Sequence, residues 1–206
     1  MKVIRLQNSP YDANAYLVDG RILVDVGMDA HAIISQLEKL IEPGELETII
    51  LTHCHYDHSG GAGEVAKAFG AKIAIHRDDA QLLNNPRGSA SELFGKKAPS
   101  VVPDILLSGG EIFGGLEVIH TPGHTPGGIC LYNPREKVLF SGDTVFPEGS
   151  FGRTDLAGGN TTKLVESIRK LTLLDVSVMY PGHEEIVTGD ANEQIRMSLM
   201  MAGHYS

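Results

Sequence analysis

Three histidines and an aspartate crowd six consecutive positions, His53, His55, Asp57 and His58, within the stretch THCHYDHSGG. Imidazole nitrogens and carboxylate oxygens are ligands of divalent metal ions, and a solvated loop has no reason to concentrate them in this way. His53 and His55 are two apart, so in an extended segment they point to the same side and suit one ion. Asp57 and His58 are adjacent, face differently, and suit a second ion beside the first.

Further candidates follow apolar strands downstream: His124 after VIHTPG, Asp143 after VLFSG and His183 after VMYPG. The apolar run IIL precedes His53 in the same manner. Strand ends gather loops at one edge of a sheet, so all four places are expected to face one cleft. Five histidines and two aspartates exceed the three or four protein ligands of a single tetrahedral zinc, and seven donors suit two metals. Asp143 is the better placed of the two carboxylates to bridge them. Nitrogen and oxygen donors without thiolate accept zinc, iron or manganese, with zinc the first choice.

His31, His76 and His204 read as structural, and His120 as structural or as support for a ligand. Cys54 lies between two ligand candidates, but alternation turns it away from them, in the manner of a small buried hydrophobe. Asp25, which ends the strand LVDVG, reads as an acceptor for backbone amides or for the second nitrogen of a ligand histidine.

The elements that must carry these residues are legible in outline. KVIRLQ, NAYLVDG and RILVDVG read as strands, the last two joined by a tight hairpin at Asp19-Gly20. Asp29 caps a helix whose stripe is Ile33, Ile34, Leu37, Leu40 and Ile41, with Pro43-Gly44 as its stop. ETIILTH, GAGEVAKAFG and KIAIH then form a strand, helix, strand crossover. Residues from about Asn84 to Asp104 read as an irregular excursion, long enough to serve as a lid. LEVIHTPGH, GGICLYN, KVLFSGD and VSVMYPGH are further strands, with helices over Thr161 to Leu174 and about Asp190 to Met201. Strands flanked by helices in both halves predict a layered α/β fold with helices outside two sheets.

At 206 residues the chain suits one domain, residues 1–206, around one core. The net charge of -9, with no basic cluster to offset it, argues against a nucleic-acid partner. No apolar run is long enough to span a bilayer, and the N-terminal MKVIRLQNSP is unlike a signal peptide, so no membrane partner and a cytoplasmic location are expected. Two cysteines read as reduced thiols rather than a disulfide framework. Assembly into a homo-oligomer is left open.

THCHYDH, TPGHTPGG, SGDT and YPGH, in this order along nearly the whole chain, resemble the metallo-β-lactamase fold of dimetal hydrolases. That resemblance implies a four-layered αββα sandwich with the site at one edge of its two sheets. It also implies two divalent ions, the first bound by His53, His55 and His124 and the second by Asp57, His58 and His183, with Asp143 bridging. HTPGHTPGGICLY, LFSGDTVF and GSFGRTDLAGGN are most similar to the glyoxalase II-like branch, the hydroxyacylglutathione hydrolases, here in a short form without the C-terminal glutathione-binding domain. The implied activity is hydrolysis of a thioester, such as S-lactoylglutathione or a related hydroxyacyl thioester, by a metal-bridging hydroxide that Asp57 orients. The implied partner is a small, anionic thioester. Arg153 is a candidate for binding a substrate carboxylate, against the plainer reading of an ion pair with Asp155. The rival functions are a mononuclear iron persulfide dioxygenase, which shares GRTD, and a hydrolase of another ester, lactone or lactam.

Overall fold

The structure, a computed structural model, describes residues 1–6 and 12–204. Its contacts divide the chain into two compact units, Met1–Leu107 and Ser108–Ser206.

The first unit holds a six-stranded sheet whose strands lie side by side in chain order: β1 (Val3–Leu6), β2 (Ala15–Val18), β3 (Ile22–Val24), β4 (Thr48–Ile50), β5 (Lys72–His76) and β6 (Ile105–Leu107). The first three run antiparallel and β3 to β6 run parallel. Gln7, the last residue of the first expected strand, lies outside the described residues. Asp19 (φ 49°) and Gly20 (φ 73°) are both left-handed, the turn whose twist matches that of the strands it joins. The crossover from β4 to β5 runs through α3 (Ala62–Phe69), which ends at left-handed Gly70, where the amide donates to the Ala66 carbonyl.

Asp29 caps α1 (Ala30–Leu37) by accepting from the Ala32 amide at 3.0 Å. The helix stops before Leu40 and Ile41, because its end tightens: the Lys39 and Leu40 amides turn back onto Gln36 and Leu37. Ile33 and Leu37 of α1, and Val65 and Phe69 of α3, pack on Leu17, Leu23, Ile49, Ile73 and Ile75 of the sheet. The alternate strand residues Tyr16, Val18, Val24 and Ile50 are buried too, which explains the unbroken apolar runs. Two short helices were not expected, α2 (Tyr56–Ser59) and α4 (Arg77–Leu83). The excursion over residues 84 to 104 is irregular apart from a 3₁₀ turn at Ser91–Phe94. Its two ends are tied where the Asn84 side chain donates to the Val101 carbonyl (2.7 Å) and accepts from the Val101 amide (2.9 Å).

The second unit has its own six-stranded sheet: β7 (Ile112–Phe113), β8 (Leu116–His120), β9 (Ile129–Asn133), β10 (Val138–Gly142), β11 (Val178–Pro181) and β12 (Val187–Thr188). All neighbours are antiparallel except β10 and β11, whose parallel pairing needs the crossover helix α5 (Thr161–Leu171). Asn160 caps α5 by accepting from the Lys163 amide. Leu164, Ile168 and Leu171 of α5 pack with Ala191, Ile195 and Ala202 of α6 (Ala191–Gly203) on Cys130, Tyr132, Leu139 and Met179. Among the described residues no helix is long and apolar enough to cross a membrane.

Candidate metal centre

The first ligand cluster begins where β4 ends. The strand stops at Ile50, three residues short of His53, and the chain turns before entering α2. The segment is therefore not extended up to His58: Asp57 and His58 sit on a helical turn. His53, His55 and His58 are all buried, and Asp57 half-buried. His53 Nε2 lies 3.1 Å from His55 Nδ1, the two rings meeting edge-on. The His53 and His58 rings have centroids 4.1 Å apart, and His58 Nε2 lies 3.9 Å from Asp57 Oδ2.

Hydrogen bonds behind these rings settle which nitrogens face the cluster. The Thr52 hydroxyl donates to Asp25 Oδ2 (2.8 Å), so it can only accept from His53 Nδ1 (3.1 Å). That puts the His53 proton on Nδ1 and leaves the Nε2 lone pair toward His55. Asp25 Oδ2 also accepts from His58 Nδ1 at 2.8 Å, leaving the His58 Nε2 lone pair on the side of Asp57. One carboxylate thus orients two histidines, the second of them through a threonine hydroxyl. Asp25 itself is left-handed (φ 55°) and receives the Thr52 amide at 2.8 Å. Its sequence position at a strand end pointed to this role; Thr52 carried no such signal. Asp12, also unremarked in the sequence, is buried beside the motif, where burial raises its carboxyl and nearby Asp57 adds to the rise.

In the second unit the three expected ligands converge. Asp143 follows β10, His183 follows β11, and His124 lies on the turn after β8. Asp143 Oδ2 is 3.6 Å from His124 Nε2 and 3.6 Å from His183 Nε2. His124 Nδ1 donates to the Arg153 carbonyl at 2.7 Å, which leaves its Nε2 lone pair for the Asp143 side. Gly152 makes this approach available: a Cβ there would lie 1.9 Å from the Asp143 carbonyl oxygen and 3.1 Å from His124 Nδ1. The Arg153 guanidinium forks onto Asp155, with both contacts at 2.7 Å, and holds that carboxyl down at about 2. Arg153 therefore meets the ligand set through its backbone carbonyl while its charged end is engaged with Asp155. His120 Nε2 bonds to the Pro126 carbonyl at 3.0 Å.

These donor sets fit divalent ions. Donors held tetrahedrally at about 2.0 to 2.2 Å from a metal lie about 3.3 to 3.6 Å from one another. The 3.1, 3.6 and 3.6 Å separations have that scale, and in each orientation fixed by a hydrogen bond the lone pair faces inward. Both cysteines lie outside this chemistry: Cys54 and Cys130 are fully buried, and burial pushes both thiols up, Cys130 to about 11.

Comparison with known proteins decides the family, because the profile of the Metallo-beta-lactamase superfamily matches residues 8–183. The chain belongs to the metallo-β-lactamase superfamily. Among curated relatives it is 34% identical over 194 residues to "Probable metallo-hydrolase YqgX" of Bacillus subtilis, covering 89% of this chain and 90% of that one. It is 33% identical over 174 residues to "Hydroxyacylglutathione hydrolase GloC" of Haemophilus influenzae, covering 81% of each. Among solved structures, the BLEG-1 B3 metallo-beta-lactamase is similar with a TM-score of 0.82 at 31% identity, covering 97% of this chain and 96% of that one. TTHA1623 in a di-iron-bound form is similar with a TM-score of 0.80 at 30% identity, covering 97% of both chains. The metallo-β-lactamase fold expected from the motifs is thereby shown, each unit contributing one mixed sheet with its helices. A His and Asp cluster in this fold suits divalent metals, and the curated relatives include probable metallo-hydrolases.

Proposed function

We propose that the protein is a dinuclear metal-dependent hydrolase of thioesters, such as S-lactoylglutathione or a related hydroxyacyl thioester, with both units acting as one catalytic domain. In this reading His53, His55 and His124 would hold one ion and Asp57, His58 and His183 the other, with Asp143 available to both. What supports two ions rather than one is the number of donors, seven against the three or four that a single tetrahedral ion takes, with Asp143 Oδ2 lying 3.6 Å from both His124 Nε2 and His183 Nε2. The di-iron form of a structural relative and the motif order both support it.

Two such ions would polarise a carbonyl oxygen and lower the pKa of a shared water toward neutrality. The chain's own residues do the rest. Asp25, Thr52 and the Arg153 carbonyl fix the histidine tautomers before substrate arrives, so no ring reorients during turnover. Asp57 is half-buried beside buried His58, where its carboxylate can orient the attacking oxygen and hold the released proton at Oδ. A thiolate leaving group needs little protonation, consistent with a ligand set that offers no separate general acid. Similarity to the hydroxyacylglutathione hydrolase of Haemophilus influenzae supports a thioester substrate.

The test is metal analysis of the purified protein together with turnover of S-lactoylglutathione by wild type and Asp57→Ala. Two metals per chain and a loss of about a hundredfold to ten-thousandfold in kcat for the variant are expected. One iron per chain with oxygen uptake on glutathione persulfide would replace this reading with a persulfide dioxygenase. Turnover of a lactone or lactam with no thioester activity would keep hydrolysis and change the substrate.

A further inference from the structure

The excursion over residues 84 to 104 is bonded to the metal-ligand segment itself. The Tyr56 amide, between His55 and Asp57, donates to the Ser89 carbonyl at 2.8 Å, and the Cys54 thiol, between His53 and His55, donates to the Gly88 carbonyl at 3.4 Å. Its 3₁₀ turn at Ser91–Phe94 lies between two left-handed residues, Ala90 (φ 55°) and Gly95 (φ 63°), and the amides of Gly95 and Lys96 close it onto Glu92 and Ser91. A left-handed alanine is costly, so this turn is held in one shape.

What the turn presents is chemically specific. Leu93 is 62% exposed and Phe94 36%, with the Phe94 ring 6.1 Å from that of Tyr56. Lys96 and Lys97 follow at once, both exposed, and neither makes an ion pair among the described residues. The segment carries Arg87, Lys96 and Lys97 against the carboxylates of Glu92 and of Asp104, the latter accepting from the Ile73 amide, on a chain of net charge -9. An apolar pair followed by free cations, on a rigid turn bonded to the ligand segment, suits a molecule with a carbon chain near the reacting centre and an anionic end beyond it.

We propose that this segment recognises the thiol carrier of the substrate: Leu93 and Phe94 receive the carbon chain beside the thioester sulfur, and Lys96 and Lys97 receive the carrier's anionic end. The inference rests on the thioester reading above and adds to it which residues of this chain receive the carrier's carbon chain and its charge. It also accounts for how an acidic chain admits an acidic substrate.

The experiment measures kcat and KM on the metal-loaded full chain with two probes, S-lactoylglutathione, whose carrier is anionic, and S-lactoyl-N-acetylcysteamine, whose carrier is neutral. In Lys96→Glu/Lys97→Glu the KM for the anionic probe is expected to rise about tenfold, since two exposed charge contacts each contribute a few-fold. The KM for the neutral probe should move less than twofold. The tenfold effect should shrink as salt is raised, because exposed charges are screened. Leu93→Ser should raise KM for both probes by about threefold. All three side chains are exposed, so folding is expected to survive, and circular dichroism checks it. Wild-type turnover of both probes with unchanged KM values in the variants, or equal shifts for both probes in the lysine variant, would overturn the carrier role alone. Absence of turnover with either probe would overturn the thioester reading and this inference with it.

Discussion

Asp25 is the residue on which the first cluster's geometry depends, since it holds His58 directly and His53 through Thr52. An asparagine there keeps the shape but offers one acceptor oxygen and an amide that competes with the ring N–H groups. Asp25→Asn is therefore expected to weaken metal binding by about tenfold to a hundredfold, read by competition with a chromogenic chelator. Unchanged affinity would mean that the rings are held by packing alone. In the second unit the sensitive position is Gly152, where a methyl group would sit 1.9 Å from a backbone oxygen and cannot be relieved by a side-chain rotation. Gly152→Ala should displace His124 or Asp143 and lower the metal content per chain, measured by elemental analysis; full metal loading would show that the loop yields instead. The thiols give a control. With both cysteines buried and Cys130 raised to about 11, the thiols stay protonated at pH 8, and a thiol-specific reagent should label neither until the chain is unfolded. Rapid labelling of the native protein would contradict the burial described for both.

At the scale of elements, residues with a distinct physical signature were legible in the sequence and short ones were not. Asp29 before a 3.6-residue stripe is a sufficient signal, because a capping carboxylate and a periodic apolar face both report on a helix. Its bond to the Ala32 amide makes Asp29→Ala a clean probe: a loss of about 1 kcal/mol, seen as a lower urea midpoint with unchanged metal content. A midpoint within error of wild type would mean that solvent caps α1 equally well. Asp19-Gly20 and Gly70 were readable for a similar reason, since each marks a left-handed backbone. In contrast α4 begins after His76, whose ring nitrogen accepts from the Asp78 amide, a cap that residue statistics do not favour. The two-residue strands β7 and β12 exist by pairing with β8 and β11, which a local pattern cannot report. The candidate ligand positions stand out in the sequence because each group of them comes shortly after an apolar strand. Thr52 and Gly152 do not, because a hydroxyl relay and a close backbone approach depend on where distant segments meet.

At the scale of the whole molecule, two compact units each carry part of the expected ligand set, four donors before Leu107 and three after Ser108. The superfamily profile runs across both, over residues 8–183. If these seven donors serve two common ions, as proposed, metal binding links the folding of one unit to that of the other. Ions that bind only the native chain add stability by mass action, about 4 kcal/mol at a free concentration a thousandfold above Kd. Removing them removes that stabilisation, while each unit has a sheet, capped helices and an apolar cluster of its own. Chelation is therefore expected to lower the main thermal transition and to broaden or split it, and readdition of zinc, iron or manganese to restore a single sharp one. Calorimetry on the metal-loaded, chelated and reloaded protein measures this, with van't Hoff and calorimetric enthalpies agreeing only when metal is present. A chelated protein that melts at the same temperature with the same sharpness would show that the ions do not join the two units, and the shared dinuclear centre would have to be given up even if each ligand cluster binds metal by itself.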